Sequence, residues 1–275
     1  MKSSLKIIVS IAYVIVFVTG KANASQCDRY ERYTSSYLAS LASSEYFRQG
    51  VFDSLEHAYM AQKCVIYAMT SDMESDIRGY KAGLTTESSR RQFKSHEPVI
   101  GVLLKRHIKS QRSLNNNKRY LFEIEFAFKL KRDLSSLYEV SLPLAKIIDS
   151  VAPALEVADF NFEAINELNV NDIIAANVGA SHIRVGKFID FEKVDMSTIE
   201  VNAILAGEHS KRNYSVPSDY IENIKWLIKK AYTEGYPLEK NMILMAGSIA
   251  KPTILTTGSY HIDFGVLGEH SLLVH

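Results

Sequence analysis

Residues 121–129 alternate strictly. Phe122, Ile124, Phe126 and Phe128 form one set, and Leu121, Glu123, Glu125, Ala127 and Lys129 the other. That period of two predicts a strand with one face in the core. Shorter apolar runs bounded by turn residues predict further strands over 100–104, 200–205, 241–246 and 260–266. Helical spacing appears in two places. Over 53–69, Leu55, Ala58, Tyr59 and Val65 recur on one face behind an Asp53 cap with Glu56 three residues on. Over 218–234, Tyr220, Ile221, Ile224, Trp226, Leu227 and Ala231 do the same before Gly235 and Pro237 end the helix. Helices early and strands later predict an α+β fold on a curled, mixed sheet, with a helical part over about 25–75 and a β-rich part over about 76–275.

The first residues carry a different pattern. Lys2 and Lys6 precede an apolar run over 7–18, and Ala22-Asn23-Ala24 closes it with small residues at the positions of a secretory cleavage site. This predicts a signal peptide over 1–24 and a secreted or periplasmic product. An uncleaved anchor is the alternative, but twelve residues fall short of the roughly twenty needed to span a bilayer, so no membrane association is expected after cleavage. Loss of Lys2, Lys6 and Lys21 takes the net charge from +1 to −2. Near-neutrality argues against nucleic acid as a partner. The 251 residues that remain can bury a substantial core as a single domain. The two cysteines, Cys27 and Cys64, would form a disulfide in an oxidising compartment, whereas in a reducing one Cys64 would be a buried thiol. The basic stretch over 105–119 reads as an exposed loop, or as a lid that concentrates an anionic substrate.

Candidate chemistry lies in three carboxylates. Glu123 and Glu125 leave one face of a strand roughly 6.5–7 Å apart, and Glu156 follows in P-A-L-E-V. Oxygen donors without nearby Cys or His suit a hard divalent cation, whose open positions would accept a bidentate 2-oxo acid. The alternation is satisfied equally by a half-buried strand with its glutamates in water.

The ordered set A-Y-M-A-Q (58–62), G-Y-K-A-G-L-T (79–85), E-P-V-I-G (97–101), E-I-E (123–125), P-A-L-E-V (153–157), A-N (176–177) and L-G (267–268) resembles the 2-keto-4-pentenoate hydratase and 4-oxalocrotonate decarboxylase family of the fumarylacetoacetate hydrolase superfamily. The resemblance implies a mixed β-roll and homo-oligomers. It also implies Mg2+ or Mn2+ on Glu123, Glu125 and Glu156, and a small anionic 2-oxo or 2-hydroxydienoic acid as substrate. The implied reaction is hydration by a metal-dependent lyase. A related decarboxylase or C–C hydrolase, or a non-catalytic homologue that binds metal and small oxo acids, is the alternative. Lys81 falls at the substrate, where its ammonium pairs with a carboxylate or, with its pKa lowered by burial, moves a proton. Leu84 and Thr85 fall at substrate-holding backbone, and Lys251 in a late loop bordering the site. Three departures stand out: His96 where relatives carry Asp, Ala176-Asn177 in place of an Asp-Asn pair, and a replaced segment over 213–218. His96 is then the substitute proton-handling group.

Overall fold

The computed structural model describes residues 23–71, 76–108, 114–115 and 117–275. The apolar leader over 1–22 lies outside the described residues. Among those described, no helix is long and apolar enough to cross a membrane.

Two helices, Glu31–Ala42 and Leu55–Thr70, lead into the β-rich part. Ser54 caps the second, its side chain accepting from the His57 N–H at 3.3 Å. The cap expected at Asp53 is therefore one residue late, and Asp53 instead faces His57 at 3.5 Å on the surface. Ala58, Ala61 and Val65 have no exposed surface. Their small side chains let this helix lie close to the helix Val170–Ala175. Cys27 and Cys64 form a disulfide with Cα atoms 5.4 Å apart, which ties the chain before the first long helix to the second. Tyr33, Tyr37, Phe47 and Phe52 fill the space between with edge-on ring contacts.

Twelve strands follow among the described residues: β1 Ile77–Gly83, β2 Val99–Leu104, β3 Tyr120–Leu130, β4 Ile148–Asp159, β5 His182–Val185, β6 Ile189–Asp190, β7 Glu200–Ile204, β8 Arg212–Ser215, β9 Ile243–Met245, β10 Thr253–Ile254, β11 Gly258–Asp263 and β12 Glu269–Val274. The larger sheet runs β2-β1-β9-β3-β4-β5, with β10 against β3 and β6 against β4; the smaller runs β12-β11-β7-β8. The architecture is the mixed α+β type expected. The expected strand over 241–246 shrinks to three residues because Asn241 and Gly247 both take left-handed backbone, at φ 70° and 97°. The expected strand over 260–266 stops at Asp263, where a helical turn Gly265–Leu267 begins.

On β3 the alternation is realised. Phe122, Ile124, Phe126 and Phe128 pack into the main core with Tyr220 of the helix Tyr220–Thr233 and with Phe264. The other face meets a small apolar patch that includes Ala127, Ala154, Met245 and Ile183. The glutamates belong to that face.

Candidate metal centre

Register builds the centre. Glu123 on β3 sits directly opposite Glu156 on β4, which places their Cβ atoms about 4.5–5.5 Å apart on one face. Glu125 follows two residues along, on the same face. One carboxylate oxygen from each of the three lies within 4.8 Å of the others. Glu125 and Glu156 are wholly buried, and Glu123 is partly exposed.

Lys81 arrives from β1, separated from β3 only by the short β9. That strand ends at Met245, paired with Lys81 on one side and Ala127 on the other. Where it ends, β3 needs new partners, since buried backbone groups left unpaired are costly. The Phe126 N–H donates to Tyr220 Oη at 3.1 Å, the Ile124 N–H to Ser248 Oγ at 3.3 Å, and the Ile249 N–H to the Ile124 carbonyl at 2.9 Å. The departing chain turns the Gly247 N–H onto Glu125 Oε2 at 3.1 Å. Gly247 has φ 97°, and a Cβ there would lie 2.6 Å from Thr85 Oγ1. Glycine is required on both counts.

A second cradle holds the ammonium. Lys81 Nζ donates to Glu156 Oε1 at 2.5 Å and to the Val178 carbonyl at 3.1 Å. That carbonyl is aimed by two successive left-handed residues, Asn177 (φ 51°) and Val178 (φ 54°), a conformation that is strained for a β-branched side chain. The surroundings enforce it. Asn177 Oδ1 accepts from the Val102 N–H at 2.7 Å, its Nδ2 donates to the Val102 carbonyl at 2.9 Å, and Tyr37 Oη donates to the Ala176 carbonyl at 2.8 Å. Across the sheet, a Cβ on Gly101 would come within 3.0 Å of both Lys81 Cγ and the Asn177 carbonyl.

The electrostatics follow from burial and crowding. Burial, then the charges of Glu156 and Glu123, pushes the Glu125 carboxyl well above the usual range. Burial also pushes Glu156 up to about 7, with the Lys81 ammonium pulling the other way and Glu123 adding to the rise. For Lys81, burial works against the ammonium, but Glu156, Glu123 and Glu125 together outweigh it and hold the pKa above its ordinary value. Lys81 is therefore a charged donor. The depressed pKa that burial alone would bring is not found.

Glu125 Oε1 and Glu156 Oε2 are buried and have no hydrogen-bond partner. Such atoms carry a penalty of about 1–3 kcal/mol, more when charged. Three carboxylates and one ammonium leave two negative charges, which a divalent cation would balance. The orphaned oxygens, their convergence and the oxygen-only donor set all fit a hard divalent ion.

Of the other expected residues, Leu84 (φ 54°) and Thr85 directly follow β1, and Thr85 packs against Gly247 at the edge of the centre. Arg90 fastens them by donating to the Thr85 carbonyl at 2.8 Å and the Leu84 carbonyl at 3.3 Å. His96 lies exposed in the turn before β2, and Lys251 is exposed before β10. Neither has a hydrogen bond or ion pair to the cluster among the described residues. Ala176 is buried and brings only its carbonyl. Sequence reasoning missed the Val178 carbonyl and the Gly247 N–H because backbone groups leave no residue-type signal. Arg90, in the run Arg90-Arg91, was legible only as a charge.

No protein-family model matches the chain, and no curated protein matches it. Solved structures do. 4-Oxalocrotonate decarboxylase from Pseudomonas putida G7, complexed with magnesium and adipate, aligns with TM-score 0.77 at 18% identity, covering 93% of this chain and 100% of that one. A fumarylacetoacetate hydrolase family protein from Yersinia pestis CO92 aligns with TM-score 0.50 at 14% identity, over 73% and 95% of the two chains. Fumarylpyruvate hydrolase from Pseudomonas aeruginosa, in complex with Mn2+ and pyruvate, gives TM-score 0.50 at 14% identity, over 74% and 92%. The chain thus has the fold of the fumarylacetoacetate hydrolase superfamily. The decarboxylase shares that fold over nearly the full length of both chains.

Proposed function

We propose that this chain is a divalent-metal-dependent enzyme of the 2-keto-4-pentenoate hydratase and 4-oxalocrotonate decarboxylase type, adding water to a short 2-hydroxydienoic or 2-oxo acid. The observation that carries the reading is the convergence of Glu123, Glu125 and Glu156 with two buried oxygens left unpartnered. Those three residues would hold Mg2+ or Mn2+, and the magnesium and manganese in the complexes of the similar structures support the choice. When bound, the ion supplies Lewis-acid polarisation of the substrate's carboxylate and 2-oxo oxygens.

The chain's own residues do the rest. Lys81 has three N–H donors, and Glu156 and the Val178 carbonyl take two. The third serves an anionic substrate. With Ala176 in place of an acid and His96 in water, Lys81 is also the proton donor that the fold brings to the cluster. Gly247 orients Glu125, while the Asn177-Val178 turn orients Lys81. Burial of Glu125, Glu156 and Lys81 keeps these charges in a low-dielectric setting, where they act most strongly. Glu123, partly exposed, marks the side open to substrate.

A second reading, decarboxylation of a 2-oxo acid, draws support from the likeness to 4-oxalocrotonate decarboxylase. It asks for charge stabilisation and one proton, without activation of a water. Export and homo-oligomer formation belong to the same proposal. The leader pattern supports export, and so does the disulfide, a bond that persists in oxidising compartments.

The deciding experiment incubates the Mn2+-loaded protein with 2-hydroxypenta-2,4-dienoate and with 4-oxalocrotonate and analyses products by NMR. A 4-hydroxy-2-oxo acid from the first supports hydration, and CO2 release from the second supports the alternative. If neither substrate is turned over while Mn2+ and oxalate still stabilise the protein, the chain binds oxo acids without catalysis. If Mn2+ does not bind, both enzyme readings fall.

A further inference from the structure

A cavity lies beside the paired ends of β3 and β4, where Tyr120 meets Asp159. Its volume is about 500 Å³, and Tyr120 and Asp159 form part of its floor. Each of those residues is three positions from a glutamate of the cluster on its own strand, so each points from the opposite face. The cavity is therefore separate from the metal centre.

Its lining combines two chemistries. Leu38 and Leu41 of the first long helix and Met69 of the second contribute apolar surface. Arg106, Lys118, Ser181 and His182 contribute polar and basic groups. Lys118 is already committed, being ion-paired to the buried Asp159 and donating to the Ser40 carbonyl at 3.1 Å. Arg106 is half-buried in the short helix Lys105–Ile108, and among the described residues no carboxylate pairs with it. A guanidinium matches a carboxylate bidentately, and the leucines and methionine that line the same cavity suit a hydrocarbon tail.

We propose that this cavity is a binding site for a short amphiphilic carboxylate, its head on Arg106 and its chain against Leu38, Leu41 and Met69. Ala180 and Ser181, which line it, directly follow the turn that holds Lys81, so an occupant would touch the catalytic cradle. The inference needs no metal and stands apart from the reaction proposed above.

The test is calorimetric titration of the full chain, stripped of metal with EDTA, against hexanoate. Saturable one-to-one binding is expected, unchanged in Glu125→Gln and weakened roughly tenfold or more in Arg106→Ala, the loss of a charge-assisted hydrogen bond. Leu41→Trp, which adds bulk at a lining position, should abolish it with the thermal melt unaltered. Hexylamine should not bind. No saturable binding of hexanoate would overturn the proposal. So would binding that survives both Arg106→Ala and Leu41→Trp, or binding lost in Glu125→Gln, which would place the carboxylate at the glutamates.

Discussion

Replacing Glu125 by glutamine should make the metal-free protein more stable and at the same time remove its response to metal. Glutamine keeps the shape and can still accept from the Gly247 N–H, but it removes one of three carboxylates whose oxygens lie within 4.8 Å of one another. At an effective dielectric constant of about 20, two unit charges at that separation repel by about 3.5 kcal/mol. Protonation caps the penalty. Burial, then the charges of Glu156 and Glu123, pushes the Glu125 carboxyl well above the usual range, so part of the repulsion is relieved by proton uptake. The gain expected at pH 8 is therefore somewhat below the full repulsion, about 2–3 kcal/mol. For a chain of this length that is a rise in melting temperature of about 5–10 °C.

The pH dependence has a definite sign. Carboxyls with pKa raised in the folded state bind protons there more readily than in the unfolded chain. The cluster's contribution to the stability of the metal-free wild type is thus fullest at low pH and is lost as pH rises through about 7. The advantage of Glu125→Gln should shrink between pH 8 and pH 5. Saturating Mn2+ should reverse the order, since an ion at a hundred times its dissociation constant stabilises the wild type by about 2.7 kcal/mol and the variant by far less. Differential scanning calorimetry at both pH values, with and without Mn2+, makes the comparison. A variant less stable than wild type at pH 8 without metal, or equally stabilised by Mn2+, would refute the account of the cluster as a charge-crowded cation site.

Gly101→Ala should disturb Lys81 while sparing metal affinity, because the new methyl meets Lys81 Cγ and the Asn177 carbonyl at 3.0 Å. In a turnover assay kcat should fall roughly a hundredfold, with Mn2+ affinity by titration unchanged; normal turnover would show that the placement of Lys81 is not critical. Reducing the Cys27–Cys64 bond, which spans 37 residues, should lower stability by about 2–4 kcal/mol in a urea melt. A midpoint that does not move would mean the two early helices are held by packing alone.

Much of this protein is legible from local pattern. The alternation in β3 and the apolar stripe of Tyr220–Thr233 survive in the structure because each element turns one uniformly apolar face into the main core, which writes its period into the residue types, even though Glu125 and Ala127 on the second face of β3 are buried as well. β4 was hidden for the opposite reason. It is buried nearly throughout and contains Pro153, so it neither alternates nor looks like a central strand. β1 was hidden by Gly79, which takes φ 152°, and by Gly83, where a Cβ would lie 2.4 Å from Val178 Cγ1.

The carboxylates and Lys81 were readable as residue types, since only certain side chains can ligate a hard cation or carry a permanent positive charge. Their meeting was not. Glu123 faces Glu156 through the β3–β4 register, and Lys81 reaches them because β9 stops at Met245. The exposure of His96 and Lys251 likewise depends on where distant segments pack. Sequence determined which groups are available, through their chemistry and local period. Tertiary structure decided which of them share a dry space, because strand register and the early end of one strand are set by contacts between residues far apart in the chain.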